Sequence, residues 1–116
     1  MANNKSFGEW GEDYAVLYLK RKGYKIINRN FSSRFGEIDI IATEGTTLVF
    51  VEVKSRYSNK FGEPVEAVTP TKLKKIIMTG YYYIQKNKLK APKMRVDVVS
   101  INRVGNKVRC KLIQVY

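Results

Sequence analysis

Gly36-Glu37-Ile38-Asp39-Ile40-Ile41-Ala42-Thr43, then Glu44-Gly45-Thr46, then Thr47-Leu48-Val49-Phe50-Val51-Glu52-Val53-Lys54 is the stretch whose reading decides the fold. Two runs rich in β-branched residues flank a short turn that contains glycine, the pattern of an antiparallel hairpin. Side chains alternate faces along a strand. Phe50, Glu52 and Lys54 therefore share one face of the second run, and Val49, Val51 and Val53 share the other. The valines are those of a buried central strand. A carboxylate and an ammonium group inside such a strand are costly unless paired. In the first run Asp39 alternates with Ile38 and Ile40, and in-register pairing brings it close to Glu52.

Working outward, Ser6-Phe7-Gly8-Glu9 has the form of a capping box, and it opens a helix that runs to about Lys22, with Gly23 as its stop. Tyr24 to Phe31 reads as a first strand, Ser32-Ser33-Arg34 as a turn, and Gly36 to Thr43 and Thr47 to Lys54 as the hairpin strands. Arg56 to Glu66 reads as a loop. Thr69-Pro70 starts a second helix, with Leu73, Ile76, Ile77, Tyr81 and Ile84 at helical spacing as far as Lys86. A basic connector precedes a fourth strand, Met94 to Ile101. After a turn from Asn102 to Asn106 comes a fifth, Lys107 to Val115. The order is α-β-β-β-α-β-β. The long connection through the second helix suits a crossover to a parallel neighbour, so the expectation is an α/β fold with a mixed five-stranded sheet flanked by helices.

With 116 residues, the chain reads as a single domain over 1–116. No apolar run approaches the ~18 residues that span a bilayer, and Met1-Ala2-Asn3-Asn4-Lys5 lacks the apolar segment of a signal peptide. A cytoplasmic protein with no membrane role is expected. The single cysteine, Cys110, has no partner in the chain for a disulfide and reads as a small filler residue. Histidine is absent, which excludes imidazole bases, Ser-His-Asp relays and histidine-rich zinc sites. Catalysis in this chain must use carboxylates, lysine, hydroxyls or a metal on oxygen ligands, which favour Mg²⁺ or Mn²⁺.

Charge points to a partner. The chain has 22 Lys+Arg against 10 Asp+Glu, formally +12, which suits a polyanion such as nucleic acid. Lys72, Lys74, Lys75, Lys86, Lys88, Lys90, Lys93 and Arg95 fall in a stretch without any acid. The few acids cluster near Glu9, Glu12, Asp13, Glu37, Asp39 and Glu44. Two carboxylates brought together repel unless a cation sits between them. A divalent metal removes that penalty and lowers the pKa of a bound water. Lys54, one pleat from Glu52, can orient that water or balance charge on a phosphate. Glu12 extends the apolar stripe of Ala15, Val16 and Leu19, and is a candidate third carboxylate that binds metal directly or through water, the alternative being an acid favoured by the dipole near a helix N-terminus. Glu9 reads as the capping partner of Ser6, and Glu37 as a supporting group or an alternative ligand.

These motifs resemble the YraN family of bacterial proteins, which look like members of the PD-(D/E)xK nuclease superfamily. The resemblance rests on Gly11-Glu12-x-x-Ala15, Gly23-Tyr24, Asn30, Gly36-Glu37-Ile38-Asp39 and Phe50-Val51-Glu52-Val53-Lys54-x-Arg56. It continues through Phe61-Gly62, Ala67-Val68-Thr69-Pro70-x-Lys72 and Asp97-Val98-Val99. Two positions depart from it: Phe35 stands where the family usually has a polar or basic residue, and Val96 where it has an aromatic. The resemblance implies a restriction-endonuclease-like fold, similar in outline to archaeal Holliday junction resolvases. By position it makes Asp39 and Glu52 Mg²⁺ ligands, Lys54 the catalytic lysine and Glu12 the acid of the first helix.

The resulting expectation is a Mg²⁺-dependent endonuclease acting on DNA, with branched or structured DNA as the class the resemblance suggests. Arg34, Arg56, Lys72 and Lys75 are candidate phosphate contacts, and the loop from Tyr57 to Pro64 is a candidate cover for substrate. A homodimer follows by fold analogy alone. The alternative is a nucleic-acid-binding protein with a vestigial metal site and no turnover.

Overall fold

Ser6 opens the first helix. Its hydroxyl oxygen accepts from the Glu9 amide at 3.1 Å and donates to the Glu9 carboxylate at 3.2 Å, so α1 (Phe7–Arg21) begins on a closed cap. The computed structural model describes residues 5–58, 68–90 and 92–116. After α1 come β1 (Lys25–Ser33), β2 (Gly36–Glu44), β3 (Thr47–Tyr57), α2 (Pro70–Lys86), β4 (Lys93–Val104) and β5 (Lys107–Gln114). The order α-β-β-β-α-β-β is the expected one, and the five strands form one mixed sheet in sequence order. β3 and β4 run parallel; the other neighbours are antiparallel.

Strand ends differ from the sequence reading. β3 runs to Tyr57 rather than stopping at Lys54, and β4 to Val104 rather than Ile101. The two pair as far as Tyr57↔Arg103, so backbone hydrogen bonding carries the sheet beyond the end of the apolar pattern. The turn expected over Asn102–Asn106 shrinks to Gly105-Asn106. β1 is shifted to Lys25–Ser33 for the same reason, pairing with β2 down to Ser33↔Gly36. Of the expected covering loop, Tyr57 ends β3, and residues 59–64 lie outside the described residues, as do Phe61-Gly62 and Ala67 of the family pattern.

The helices pack on opposite faces of the sheet. Ala15, Val16 and Leu19 of α1 meet Ile40, Ala42, Val49, Val51 and Val99. Ile76 and Tyr83 of α2 meet Ile38, Ile41, Phe50 and Val96 on the other side. Two glycines permit the close approach. A Cβ at Gly11 would lie 2.7 Å from the Ser55 hydroxyl, and one at Gly80 would run into the Phe50 ring. Cys110 packs against the α1 core, where burial pushes its thiol up to about 12, as suits a filler rather than a nucleophile. Among the described residues no helix is long and apolar enough to cross a membrane.

A buried ionic knot ties the hairpin end of β2 to β4. Asp97 is 1% exposed; it accepts from Arg95 Nε at 2.9 Å and from the Tyr24 hydroxyl at 3.0 Å. Arg95 Nη2 also donates to Tyr24 at 2.8 Å and to Glu44 at 2.7 Å. Burial and the neighbouring Asp97 push the Tyr24 phenol up to about 12, so it remains a donor throughout the neutral range. Removing Arg95 would leave the Asp97 charge buried, whereas removing Glu44 would cost only a pair at the rim. Arg95→Ala should therefore lose about 3–5 kcal/mol in urea unfolding and Glu44→Ala less than about 1 kcal/mol; equal losses would refute this account.

Candidate active site

β2 and β3 pair from Glu44↔Thr47 to Ile40↔Val51, and then they part. One further step of the ladder would set Asp39 opposite Glu52. Instead the Asp39 carboxylate bridges the gap, and its Oδ2 accepts from the Val53 amide at 2.8 Å. A side chain thus supplies the acceptor that a strand carbonyl would have given. On the other edge of β2, Arg29↔Ile40 and Phe31↔Ile38 pair, while Asn30 between them has φ of 55°. Asparagine tolerates that left-handed conformation better than most residues.

This break corrects the assumed alternation around Asp39. Ile40 packs in the α1 core and Ile38 in the α2 core, although two residues apart on one strand should share a face. Asp39, at the reversal, turns into the space between the strands. It still neighbours Glu52, near enough for the two carboxyl groups to interact. Burial pushes the Asp39 carboxyl up to about 7, and Glu52 adds to the rise, while the Val53 amide and Lys72 oppose it.

Glu52 is 7% exposed on β3, and its Oε2 accepts from Lys72 Nζ at 3.2 Å. Lys72 stands in the first turn of α2, capped by Thr69, where the helix dipole disfavours a cation and no acid occupies the turn. Glu52 supplies the missing counter-charge. Lys72, expected among the phosphate contacts, is thus first a partner of a site carboxylate. Lys54 follows Glu52 by two residues. Val53 and Ser55 face α1, so alternation puts Lys54 on the α2 side with Glu52 and Phe50.

Glu12 reaches the site from α1, one residue after the close contact at Gly11. Arg29 Nε and Asn30 Nδ2 each donate to its Oε1 at 3.0 Å. Arg29 also binds Asp13 Oδ1 at 2.7 Å, which pairs in turn with Lys5. Glu9, Glu12, Glu37, Asp39 and Arg29 line one open cavity of about 420 Å³. Glu12 therefore shares a wall with Asp39 but is held by Arg29 and Asn30. Among the described residues no three acids, cysteines or histidines converge as a ligand set. Of the site acids, Asp39 and Glu52 are neighbours of each other.

The candidate phosphate contacts are spread out. Arg34 sits on the β1–β2 turn with its guanidinium 4.9 Å from the Phe35 ring centre. Arg56 is exposed near the end of β3, and Lys75 passes beside Gly36 at the start of β2. Arg29, which pairs with Glu12 and Asp13, was not singled out by the sequence. Its only signal in the sequence is a charge in the middle of an apolar-to-polar strand, which is commonplace on an exposed face.

Over residues 11–101 the sequence matches the uncharacterised protein family UPF0102. It is 48% identical to a UPF0102 protein of Caldicellulosiruptor saccharolyticus, across 85% of this chain and 84% of the relative. It is 44% identical to one of Syntrophus aciditrophicus, across 98% of this chain and 90% of the relative. A relative in Clostridioides difficile is 50% identical across 85% and 87%. The chain belongs to the UPF0102 family. The UPF0102 match contains all the residues assembled here from Glu12 to Lys75, and ends at Ile101 in the core of β4.

Two outcomes follow for this UPF0102 site. The folded Asp39 carboxyl lies above its value of about 3.9 in an unfolded chain, so the native state holds the proton more tightly. The stability this contributes is present at low pH and is lost as pH rises from about 4 through about 7. Asp39→Asn keeps an acceptor for Val53. Without metal it should melt roughly 5 °C above wild type at pH 8 and no higher at pH 4, by thermal scans. Lys72→Met removes the cation paired with Glu52; on the expectation that the site holds a divalent ion, Mn²⁺ titration by calorimetry should show up to about fivefold tighter binding.

Proposed function

We propose that this UPF0102 protein is a Mg²⁺-dependent endodeoxyribonuclease of the PD-(D/E)xK, restriction-endonuclease-like type, acting on branched or otherwise structured DNA. The observation that carries the reading is the Asp39–Glu52 carboxylate pair, gathered where β2 and β3 part in a chain of formal charge +12. A buried acid, Glu52, crowded by a half-buried one, Asp39, fits a hard divalent cation, because it relieves both their repulsion and their desolvation. When bound, Mg²⁺ supplies Lewis-acid polarisation of the phosphate and acidifies the attacking water.

The residues of the chain do the positioning. Val53 fixes one oxygen of Asp39 through its amide, which orients the carboxylate toward Glu52. Lys72 holds Glu52 in place and leaves it when a cation or a phosphate takes over its charge. Lys54 directs the attacking water and balances charge that develops on the phosphate. Arg29 and Asn30 hold Glu12 at the mouth of the same cavity, so that it supports the site without binding the ion directly. Arg34, Arg56 and Lys75 guide the backbone of the nucleic acid. Fold analogy with junction resolvases extends the proposal to a homodimer in the cytoplasm, with paired sites on paired strands.

One observation favours a second reading. The Lys72 ammonium already neutralises Glu52, as it would in a vestigial site that binds nucleic acid without turnover. The two readings part experimentally. Linear, flap and four-way DNA should be cut with Mg²⁺ or Mn²⁺, and Glu52→Gln and Lys54→Met should each slow cleavage by about 100-fold or more. Cleavage at the wild-type rate in either variant would sink the nuclease assignment. DNA binding without cleavage, together with no Mn²⁺ binding that Glu52→Gln abolishes, would establish the second reading.

A further inference from the structure

The outer side of α2 leaves Met78, Tyr81 and Tyr82 exposed at 37%, 55% and 39%. The β1–β2 turn brings Arg34 and Phe35 beside them. With Gln85 these residues line an open groove of about 370 Å³, separate from the acidic cavity. Phe35 meets Tyr82 edge-on, with ring centres 6.5 Å apart, and Phe31 lies 6.1 Å behind Tyr82. The lining is thus built from ring faces and a guanidinium already stacked on one of them.

The surroundings say what fills it. α2 carries Lys72, Lys74, Lys75 and Lys86 and no acid, and Lys88 and Lys90 follow it. An apolar peptide or a second copy of a chain at +12 would meet repulsion or indifference here. A flat aromatic group on an anionic backbone suits both the rings and the lysines. We propose that this groove stacks an unpaired nucleobase of the strand whose phosphate lies at Asp39 and Glu52. The inference rests on the nuclease reading above and specifies its substrate: DNA with single-stranded nucleotides next to the cut.

Position supports the link. Lys72 touches Glu52, and Met78 follows six residues later, about 9 Å along the helix axis. That distance is two to three steps at the ~3.4 Å rise of a stacked strand. Ring faces accept any base, and Arg34 adds a cation to the stack. The Gln85 amide and the tyrosine hydroxyls offer donors and acceptors to a base edge. A base within a duplex has both faces covered by its neighbours, so only an unpaired one can enter.

Fluorescence anisotropy with the full chain in EDTA tests this, using a 15-nucleotide oligothymidylate and the same backbone with abasic sites. Wild type should prefer the oligothymidylate. Phe35→Ala, at a half-buried position on the turn, and Tyr82→Leu, at an exposed one, should weaken oligothymidylate binding by roughly 5- to 100-fold and abasic binding by less than about twofold. Equal losses on both strands, or no loss in either variant, would overturn the groove assignment. Glu52→Gln should keep the preference for bases while losing cleavage. Wild type that cuts DNA but does not distinguish the two strands would end this inference and leave the nuclease reading standing. Base preference in a chain that never cuts would support the groove and end the nuclease reading.

Discussion

Everything at the site depends on one hydrogen bond, from the Val53 amide to the Asp39 carboxylate. It forms where the β2–β3 ladder stops and keeps the two strands in contact after their backbones have parted. A ladder that continued would bury Asp39 against Glu52 with no room for a ligand. A gap without the carboxylate would leave the Val53 amide unsatisfied, at a cost of about 1–3 kcal/mol. The carboxylate meets the demand of the backbone and opens the sheet in the same act. The cost appears in the raised protonation of Asp39, which burial and Glu52 impose together.

The rest of the fold holds that opening in place from three directions. α1 comes close to β3 because Gly11 has no side chain to strike Ser55, and this delivers Glu12 to Arg29 and Asn30 beside the gap. α2 comes close because Gly80 lies against Phe50, and this sets Lys72 over Glu52. The knot of Asp97, Arg95, Tyr24 and Glu44 fastens the other end of β2 to β4. The sheet is pinned where it is regular and held open where it is not.

Charge is divided just as unevenly. The acids line the α1 cavity and the lysines run along α2, so a polyanion approaching the α2 side meets attraction up to the edge of the carboxylates. Lys72 stands at that boundary. Its pairing with Glu52 is partly exposed and so weak enough to exchange, worth about 1 kcal/mol or less.

The sequence by itself determined the α-β-β-β-α-β-β order, the hairpin, both helix starts and the faces of β3, because caps, turn residues and apolar periodicity are local signals. It also singled out Asp39 and Glu52, since charges are conspicuous in β-branched strands and no histidine competes for their role. The extension of β3 and β4 was not legible, because it comes from backbone pairing between polar segments far apart in the chain. Nor was the reversal at Asp39, which depends on Asn30 across the ladder and on an acceptor that only the parted strands require. The partners of the charges were decided by tertiary structure as well: Lys72 went to Glu52 and Arg29 to Glu12. Residue types are written in one dimension, whereas an ion pair is chosen by which charges the packing brings within about 4 Å.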